Sequence, residues 1–573
     1  MTVNTLSPPK TTISSRLNFM KHRSIDELVL GGLFFMGLAA LATVIILPLY
    51  TLLSKSVQNQ NGEFVGLDHF VTYVSTPSLA SSFSHSISMA LISTLIVTTL
   101  AFSAAYAISR TKIKAKGLFK MILALPILAP SLLPAISLVY LFGTQGVLKT
   151  LLFGESIYGP IGIIIGSCFW TFPHALMIIL TAMGNSDARL YESAKVLGAS
   201  PLRTFFTVTL PSIKYGLISA SFVVFTLVIT DFGVPKVIGG QYNVLATDIY
   251  KQVIGQQNFE MGAVVSVVLL LPAIVAFAID RYIQKKQVAG LTARSVVFEP
   301  SPNKKADTLW FIYCSLVAIF ILGILGICQY AALVKFWPYD LSLSLNNYAF
   351  GRMDGGGWGA YQNSIKLALL TAFFGTAVVF LGSYVVEKTK GFEIVRAGFQ
   401  MLAMLPMAIP GMVLGLSYIF FFNNPENPMN FLYGTMAILV ISAVTHFYTV
   451  SHLTALTALK QMDPEFESVS DSLKQPFFKL FGRVTIPVCM PAILNISIYL
   501  FVNAMTTVSA VVFLYSTDTA LASVAVLNMD DAGDIAPAAA MGMMIFYTNA
   551  GARLLHLLLS RVVLMRSNAW RAS

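Results

Sequence analysis

Two polar stretches, about 275 residues apart, carry the residue types of this 573-residue chain best suited to a mechanical or binding role. Residues 191–201 read YESAKVLGASP, and residues 466–476 read FESVSDSLKQP. Each stretch leads on to a proline, at Pro211 and at Pro487. Both have a glutamate as their second residue. In the first stretch this glutamate lies in a predicted short helix, and a second short helix is expected to follow the turn. Such a helix–turn–helix is rigid enough to transmit a push from a bound partner.

The first of these stretches lies in a loop at residues 185–213, called the first loop. Asp187 is placed to cap a helix, because a side-chain oxygen at that position accepts hydrogen bonds from unpaired N–H groups of the first turn. Gly198 then allows a sharp bend, since glycine adopts positive φ without steric cost. Pro201 is suited to open a second short helix, and Pro211 ends the loop.

The second loop, residues 460–489, departs from this pattern because it lacks the glycine. Aligned from its glutamate, it has Leu473 in the glycine position. Aligned from Pro487, it has Ser470 and Lys474 in the positions of the alanine and glycine of the first loop. We therefore expect the second loop to turn differently from the first. The candidate residues of the two loops are Glu192, Ser193, Ala194, Gly198, Pro211, Glu467, Ser468, Ser470, Leu473 and Pro487.

The rest of the chain is apolar enough to require lipid around it. The chain is 56% hydrophobic and 11% charged, with a mean hydropathy of +0.74, whereas an ordinary soluble domain is about 25% charged. A net charge of +11 would suit nucleic acid, but its distribution favours membrane orientation instead. Four cysteines without paired spacing are expected to be small core residues rather than disulfides or metal ligands.

Membrane-spanning helices need about 20 mostly apolar residues. Twelve segments meet this requirement, so we predict an all-α polytopic membrane protein with about 12 transmembrane helices. The segments are 28–54, 86–109, 121–143, 161–184, 214–235, 262–279, 308–334, 364–386, 398–421, 434–458, 490–515 and 536–560. The first of them lacks a clear cleavage site, and we expect it to be retained as a helix rather than removed as a signal peptide.

The positive charges predict which side of the membrane each loop occupies. With a cytoplasmic N-terminus, inside segments hold 28 of the 37 lysines and arginines, outside segments hold six, and three lie within the bounds of a span. Because cytoplasmic loops are enriched in Lys and Arg, this bias predicts that both termini are cytoplasmic. The first and second loops then also lie on the cytoplasmic side.

The two halves of the chain repeat each other at an offset of 275 to 280 residues. Arg110 matches Lys388, and Pro126 matches Pro406. Since each half has six spans, an even number, both halves enter the membrane from the same side, which gives a parallel repeat with a pathway at its interface. The predicted organisation is a cytoplasmic tail at 1–27, a first half at 28–279, a cytoplasmic linker at 280–307, a second half at 308–560 and a cytoplasmic tail at 561–573.

The two loops resemble the hallmark of binding-protein-dependent ABC importer permeases, which reads roughly E-A-A-x-x-x-G followed by I/L-P. In the first loop Glu192, Ala194, Gly198 and Pro211 fall on this pattern, and Ser193 replaces its second letter. The second loop fits at its glutamate, the following serine and its proline. The resemblance covers nearly the whole chain, which is similar to permeases in which both halves of the pore are fused.

This resemblance implies partners and a location. Two copies of an ABC ATPase subunit would bind on the cytoplasmic side, one at each loop, and an external or periplasmic solute-binding protein would deliver the solute. The chain would lie in a bacterial inner membrane, in contact with lipid and without nucleic acid. Its sequence contains no G-x-x-x-x-G-K-[ST] phosphate loop, so we expect no enzyme activity and no cofactor in this chain, with ATP hydrolysis on the partner subunits.

Two groups of fused permeases are the most similar. The run at 231–235, DFGVP, is similar to ferric-iron permeases, whereas the runs at 507–515 and 521–531 look like the 2-aminoethylphosphonate branch. The predicted solute is 2-aminoethylphosphonate, and ferric iron is the alternative. A proton-driven secondary transporter with twelve spans is a further alternative, but its G-x-x-x-D-R-x-G-R hallmark is not met at 110–117, which lacks the aspartate.

Polar residues and prolines inside the spans are candidates for the solute pathway. Prolines free backbone carbonyls that a neighbouring helix or a cavity must satisfy, which suits a gate and simple packing equally well. Asp231 is either a functional residue or a partner of Lys236 in interfacial water, and His174 and His446 are expected to make polar contacts between helices. The pathway candidates are Asp231, Asn503, Thr506, Thr507, Ser509, Pro126, Pro130, Pro406 and Pro410.

Overall fold

The computed structural model describes residues 25–184, 186–286, 296, 298–353, 355–389 and 393–569. Most of these residues are helical, and the predicted all-α polytopic fold is confirmed. Strands in this part of the chain form one antiparallel hairpin, β1 Val334–Phe336 with β2 Asp340–Leu343. Residues 1–24 of the predicted N-terminal tail, and residues 287–295 and 297 of the linker, lie outside the described residues.

The α-helices of the first half follow its six predicted spans and the loops between them. They are α1 Ile25–Leu41, α2 Leu47–Lys55, α3 Asp68–Ser75, α4 Pro77–Arg110, α5 Lys116–Ala124, α6 Leu132–Phe142, α7 Pro160–Gly184, α8 Ala188–Val196, α9 Pro201–Thr204, α10 Leu210–Ile229, α11 Gly233–Ile238, α12 Leu245–Tyr250 and α13 Phe259–Lys286. Short π-helical turns join several of them, among them Ala42–Ile46 between α1 and α2.

The α-helices of the second half repeat this order after the linker. They are α14 Lys304–Leu333, α15 Gly357–Leu370, α16 Thr376–Lys388, α17 Glu393–Met404, α18 Gly411–Phe422, α19 Met436–His446, α20 Tyr448–Lys460, α21 Glu465–Ser472, α22 Phe477–Leu480, α23 Ile486–Thr506, α24 Ala522–Asp531 and α25 Ile535–Ala569. The long helix α4 of the first half corresponds to α15 and α16, which a π-helical turn at Thr371–Gly375 connects.

Eight straight helical segments in the described residues are long and apolar enough to cross a membrane, and three bent pairs raise the number to eleven. Eleven of the twelve predicted segments correspond to these. The segment at 536–560 does not, because α25 carries Asn549 and Arg553 in its middle. The segments at 121–143 and 398–421 are folded back rather than kinked, with bends of 99° between α5 and α6 and 111° between α17 and α18.

The first span of each half packs against the other half. In the first half, α1 lies on α16 and α17, and the ring of Phe34 stacks on that of Phe399 with centroids 5.7 Å apart. In the second half, α14 lies on α5 and α6, and the Phe311 ring lies 5.5 Å from the Phe119 ring. The two halves are therefore interlocked at both ends of the repeat, and neither half is a separate bundle.

Candidate coupling loops and solute pathway

The first loop has the predicted helix–turn–helix. The Asp187 carboxylate accepts a hydrogen bond from Arg189 N at 3.1 Å, which caps α8. The chain turns at Gly198, where φ is +71°, and Ala199 N donates to Ala194 O at 2.9 Å. This hydrogen bond across a left-handed residue is a Schellman ending, which satisfies a helix carbonyl and redirects the chain into α9.

One side of α8 is open to a partner protein. Glu192 and Ser193 are exposed, whereas Ala194 is buried on the opposite side of the helix. Val196 and Leu197 are 87% and 84% exposed. Large apolar side chains this exposed, next to a carboxylate, are typical of a surface that another protein covers.

The first loop is continuous with a membrane span. A π-helical turn, Phe205–Thr209, connects α9 to α10, and Pro211 occupies the first turn of α10. Tyr191 on α8 donates a hydrogen bond from its hydroxyl to Thr209 Oγ1 at 3.2 Å. Helix α8 is therefore connected to α10 both through the chain and through this contact with the residue that precedes α10.

The second loop has the same turn as the first. At Lys474 φ is +48°, and Gln475 N donates to Ser470 O at 3.0 Å across the turn. Ser470 and Ala194 are each 8% exposed. The expectation that the second loop turns differently is therefore wrong, and the alignment from Pro487 gives the correct register, with Lys474 in the glycine position.

The remaining predicted residues of the second loop surround this turn. Glu467 and Ser468 lie in α21, and Leu473 is exposed just before the turn. A π-helical turn, Phe481–Thr485, joins α22 to α23, whose first turn contains Pro487. Beside α21 lies a groove of ≈ 530 Å³. Its lining includes Phe466, Val469, Ser470, Leu473 and Leu480.

A basic residue stands behind each loop, and the motif alone did not identify either one. Arg110 donates from its guanidinium to Met183 O at 3.0 Å and lies 5.1 Å from the centre of the Tyr191 ring. Lys388 makes an ion pair with Glu467 on α21. The repeat had paired Arg110 with Lys388, so a signal for their shared position was present in the sequence.

The carboxylate that caps α8 stays ionised near neutral pH. Hydrogen bonds from the Arg189 side chain and backbone, together with one from Val296 N, lower the pKa of Asp187 to about 2. The Arg189 guanidinium is 2.6 Å from the Asp187 carboxylate. Because both side chains are accessible to solvent, this ion pair contributes to the local geometry more than to global stability.

The candidate prolines of the pathway form two breaks rather than two kinks. Pro126 lies in a 3-10 turn before the first break and Pro130 within it, while Pro406 and Pro410 take the same places in the second half. Proline lacks an N–H group, so the helix ladder is interrupted where each segment folds back. The observed bends are much larger than a proline kink in a single span.

Each break packs tightly against another segment of its own half. The first break packs against the residues that follow α10, and the second packs against the residues that follow α23. A Cβ added to Gly233 would meet Ser131 Oγ at 2.2 Å. In the second half the residue types are exchanged, and a Cβ added to Gly411 would meet Ser509 Oγ at 2.3 Å. The candidate Ser509 is therefore part of a close packing contact at the break.

Asp231 caps a short helix and does not pair with Lys236. Its carboxylate oxygens accept hydrogen bonds from Gly233 N and Val234 N, both at 3.2 Å, at the start of α11. Lys236 instead lies 2.9 Å from the Asp531 carboxylate of the second half. The alternative of an Asp231–Lys236 pair is therefore wrong, and the structure reveals an ion pair between the halves that sequence reasoning missed.

The polar strip of the second half satisfies much of its hydrogen-bonding capacity locally. Asn503 and Thr506 each donate to the carbonyl four residues earlier in α23, at 2.8 and 3.1 Å. The Thr507 carbonyl accepts a hydrogen bond from Ser523 Oγ at 2.6 Å.

His174 contacts the carbonyl of Trp170 in its own helix, at 3.2 Å, rather than a neighbouring helix.

The two halves meet closely at one end of the molecule and leave a cavity at the other. At the end far from the two loops, Lys236 pairs with Asp531, and the Tyr250 ring lies 6.4 Å from the Phe513 ring. At the end that carries the loops, a cavity of ≈ 490 Å³ opens between the halves. Its polar lining consists of Arg281, Gln284, Thr454, Thr457, Gln461 and Asn495.

Comparisons with known proteins match both halves. Residues 97–288 and 363–564 each match the family described as "Binding-protein-dependent transport system inner membrane component". The first and second loops lie inside these two regions, at equivalent places. In the described residues, no group of three or more His, Cys, Asp or Glu side chains could hold a metal ion.

Individual relatives include permeases for different solutes. The chain is 30% identical to the ferric transport system permease protein FbpB of Actinobacillus pleuropneumoniae over 462 residues, which cover 77% of this chain and 66% of that protein. It is 30% identical to a putative ferric transport system permease protein, FbpB 1, of Haemophilus influenzae over 438 residues, 73% of this chain and 68% of the relative. The chain thus spans about two thirds of both ferric relatives. The spermidine/putrescine transport system permease protein PotB of Escherichia coli is 27% identical over 196 residues, 33% of this chain and 71% of PotB.

Proposed function

Because the chain belongs to the family of binding-protein-dependent transport system inner membrane components, we propose that it is the fused permease subunit of an ATP-driven importer. The observation that supports this most is the pair of loops with one geometry, each in one matched region. Both have an exposed helix with a glutamate, a turn with positive φ and a short helix that leads into a span. Two loops of the same geometry are suited to bind two copies of one ATPase subunit.

In this proposal ATP acts on the chain only through the loops. Each ATPase copy takes one loop in a cleft, with Val196 and Leu197 of the first loop and Leu473 of the second among the covered apolar side chains. When the ATPase copies close around ATP, they move α8 and α21, and these helices move α10 and α23. An external binding protein delivers the solute on the opposite side, and both termini are cytoplasmic.

We propose ferric iron as the solute. Two relatives at 30% identity, aligned over most of this chain, are described as ferric permeases. They favour the ferric alternative over 2-aminoethylphosphonate, for which the similarity of the runs at 507–515 and 521–531 is the remaining argument. The solute would pass between the halves, where the cavity beside the loops provides an exit.

Reconstitution tests the proposal. The chain should co-purify with an ATPase and should import ferric iron into proteoliposomes only with internal ATP and an external binding protein. A tenfold excess of 2-aminoethylphosphonate should leave iron uptake unchanged. Uptake of 2-aminoethylphosphonate instead of iron would overturn the choice of solute. Uptake with no ATPase present would overturn the importer.

Substitution at the first loop gives a matched comparison. Gly198→Arg places a bulky side chain at a residue with positive φ on the proposed docking surface, and it should abolish uptake while leaving the protein in the membrane. Gly117→Arg is the control, because Gly117, in the first turn of α5, is also exposed, with nothing within 4 Å of an added Cβ. Equal uptake by the two variants would contradict a coupling role for the first loop.

A further inference from the structure

The linker between the halves lies against the first loop. Ala188 N donates to Val296 O at 2.9 Å, and Val296 N donates to the Asp187 carboxylate at 3.4 Å. Two residues further on, the Phe298 ring lies 4.5 Å from the Tyr191 ring. The start of α8 is therefore held by backbone hydrogen bonds, and its first turns by an aromatic contact.

Arg110 joins this contact to a long span. Its guanidinium carbon lies 4.7 Å from the centre of the Phe298 ring and 5.1 Å from the centre of the Tyr191 ring. A guanidinium near two aromatic rings is attracted by the negative faces of both. Since Arg110 ends α4, it connects the linker, α8 and α4 at one point.

The same stretch of linker leads directly into the first span of the second half. Lys112 N donates to the Asp307 carboxylate at 2.9 Å, and Asp307 lies in the first turn of α14. This span of the second half packs on α5 and α6 of the first half, as well as on α25 of its own half. Only a few residues separate the contact at Phe298 from the start of α14.

The second loop makes the equivalent contact with the first span of the first half. Phe477 N, at the start of α22, donates to the Asp26 carboxylate at 2.9 Å. Asp26 belongs to α1, the first span of the first half, which packs on α16 of the second half. Lys388 at the end of α16 pairs with Glu467 of the second loop, in the place that Arg110 occupies at the first.

We propose that these contacts form a crossed linkage, in which each coupling loop is tied to the first span of the opposite half, so that the two halves respond together to a push on either loop. This inference rests on the proposed function. Val296, Phe298 and Asp26 are positioning residues in it. Without the tie, a displacement of α8 would reach its own half through α9 and α10. With the tie, the same displacement also moves α14.

The exposure of α8 explains why the tie matters. Of the nine residues of this helix, only Ala188 and Ala194 are buried. A helix with so little packing of its own depends on a few contacts for its position, and the contacts with Val296, Phe298 and Thr209 are prominent among them. Loss of the linker contact should therefore make α8 more mobile without removing the docking surface.

The linkage predicts that transport and ATP hydrolysis can be separated. In proteoliposomes that hold the full complex, Phe298→Ala should leave ATP hydrolysis in place and lower the ferric iron imported per ATP about 2- to 10-fold, the loss expected for one aromatic and cation–π contact. Phe298→Tyr keeps the ring and should restore the ratio. Glu299→Ala, at the exposed neighbour, is the control. Asp26→Ala should lower the ratio as Phe298→Ala does.

An unchanged ratio in both Phe298→Ala and Asp26→Ala would overturn the linkage. If Gly198→Arg nevertheless abolishes uptake, the permease function stands without it. A labelling experiment tests the docked geometry even if no ATPase binds. Phe298→Cys should react with a water-soluble maleimide more slowly than Glu299→Cys, with the unsubstituted chain as the blank, because three native cysteines are buried and one is half-buried. Equal rates at the two positions would show that the linker is not docked.

Discussion

At the residue scale, the two loops form the same type of turn with different residues at the position of positive φ. Gly198 and Lys474 both have positive φ, at +71° and +48°. A side chain in this region brings Cβ close to the following carbonyl oxygen, which costs roughly 1–2 kcal/mol, whereas glycine has no such cost. Nothing lies within 4 Å of a Cβ added to Gly198. The cost at this position is therefore conformational and is not a clash with a neighbour.

Exchanging the residue types at the two turns should change loop stability in opposite directions. Gly198→Ala should raise the local opening of the first loop about fivefold, and Lys474→Gly should lower that of the second loop by a similar factor, as expected for about 1 kcal/mol. Hydrogen exchange of the amides around each turn measures both. Gly184→Ala, at a helical residue with equal open space, is the control. Faster local opening of the second loop in Lys474→Gly would contradict the assignment of Lys474 to the glycine position.

The ion pair behind the second loop should respond to a charge exchange. Glu467→Lys faces Lys388 with a like charge and should reduce uptake, and the double variant Glu467→Lys, Lys388→Glu should recover part of it. Glu192→Lys changes an exposed side chain of the first loop and should retain the fold while losing uptake. Iron uptake at matched amounts of inserted protein measures both. No recovery in the double variant would mean that Glu467 acts through the ATPase alone.

At the element scale, the apolar runs and prolines predict where most helices lie but not how they bend. Pro126 and Pro406 identify two interrupted spans, yet the bends of 99° and 111° depend on what packs into each break. The sequence does not specify the turn at Lys474 either, since a lysine carries no local signal for positive φ. Alignment from Pro487 places Lys474 in the glycine position, but alignment from the glutamate places Leu473 there. Local sequence specifies an interruption, and tertiary packing sets its angle.

The break in the first half should tolerate a larger residue only if its neighbour is reduced. Gly233→Ala places a methyl group 2.2 Å from Ser131 Oγ and should lower the free energy of unfolding by about 1–3 kcal/mol through overpacking. Ser131→Ala removes that oxygen and should recover part of the loss in the double variant. Thermal unfolding in detergent compares the three. Equal destabilisation in the double variant would place the strain in the backbone of Gly233 instead.

At the scale of the whole molecule, the sequence predicts a parallel repeat but not the exchange of first spans. The order of apolar segments is the same whether α1 and α14 pack on their own half or on the opposite one. Contacts such as the one between Phe34 and Phe399 are long-range pairs with no local signature. Because of this exchange, the linker and the start of α1 contribute contacts between the halves. From the sequence alone, both segments are predicted only as polar cytoplasmic segments.

The contact between the halves at the end far from the loops should depend on pH. Burial, together with the charge of Asp531, raises the pKa of Asp530 to about 7, and Lys236 opposes both effects. Tyr250 and Tyr515 are further titratable side chains here, and Lys236 lies 5.1 Å from the Tyr250 ring. When the halves separate and water reaches Asp530, its pKa should return to about 3.9. Between these two values the closed form binds more protons than the open form.

The closed contact should therefore lose stability as pH rises from about 4 to about 7 and change little above that range. Spin labels at Val147→Cys and Phe431→Cys, exposed on the first and second half, should report a larger separated fraction at about pH 8 than at about pH 5. Asp530→Asn should flatten this dependence because the amide does not titrate. Asp518→Asn, at an exposed carboxylate of the same half, should leave it unchanged. A separated fraction that falls with rising pH would mean that Lys236 and Asp531, rather than Asp530, dominate the closed contact.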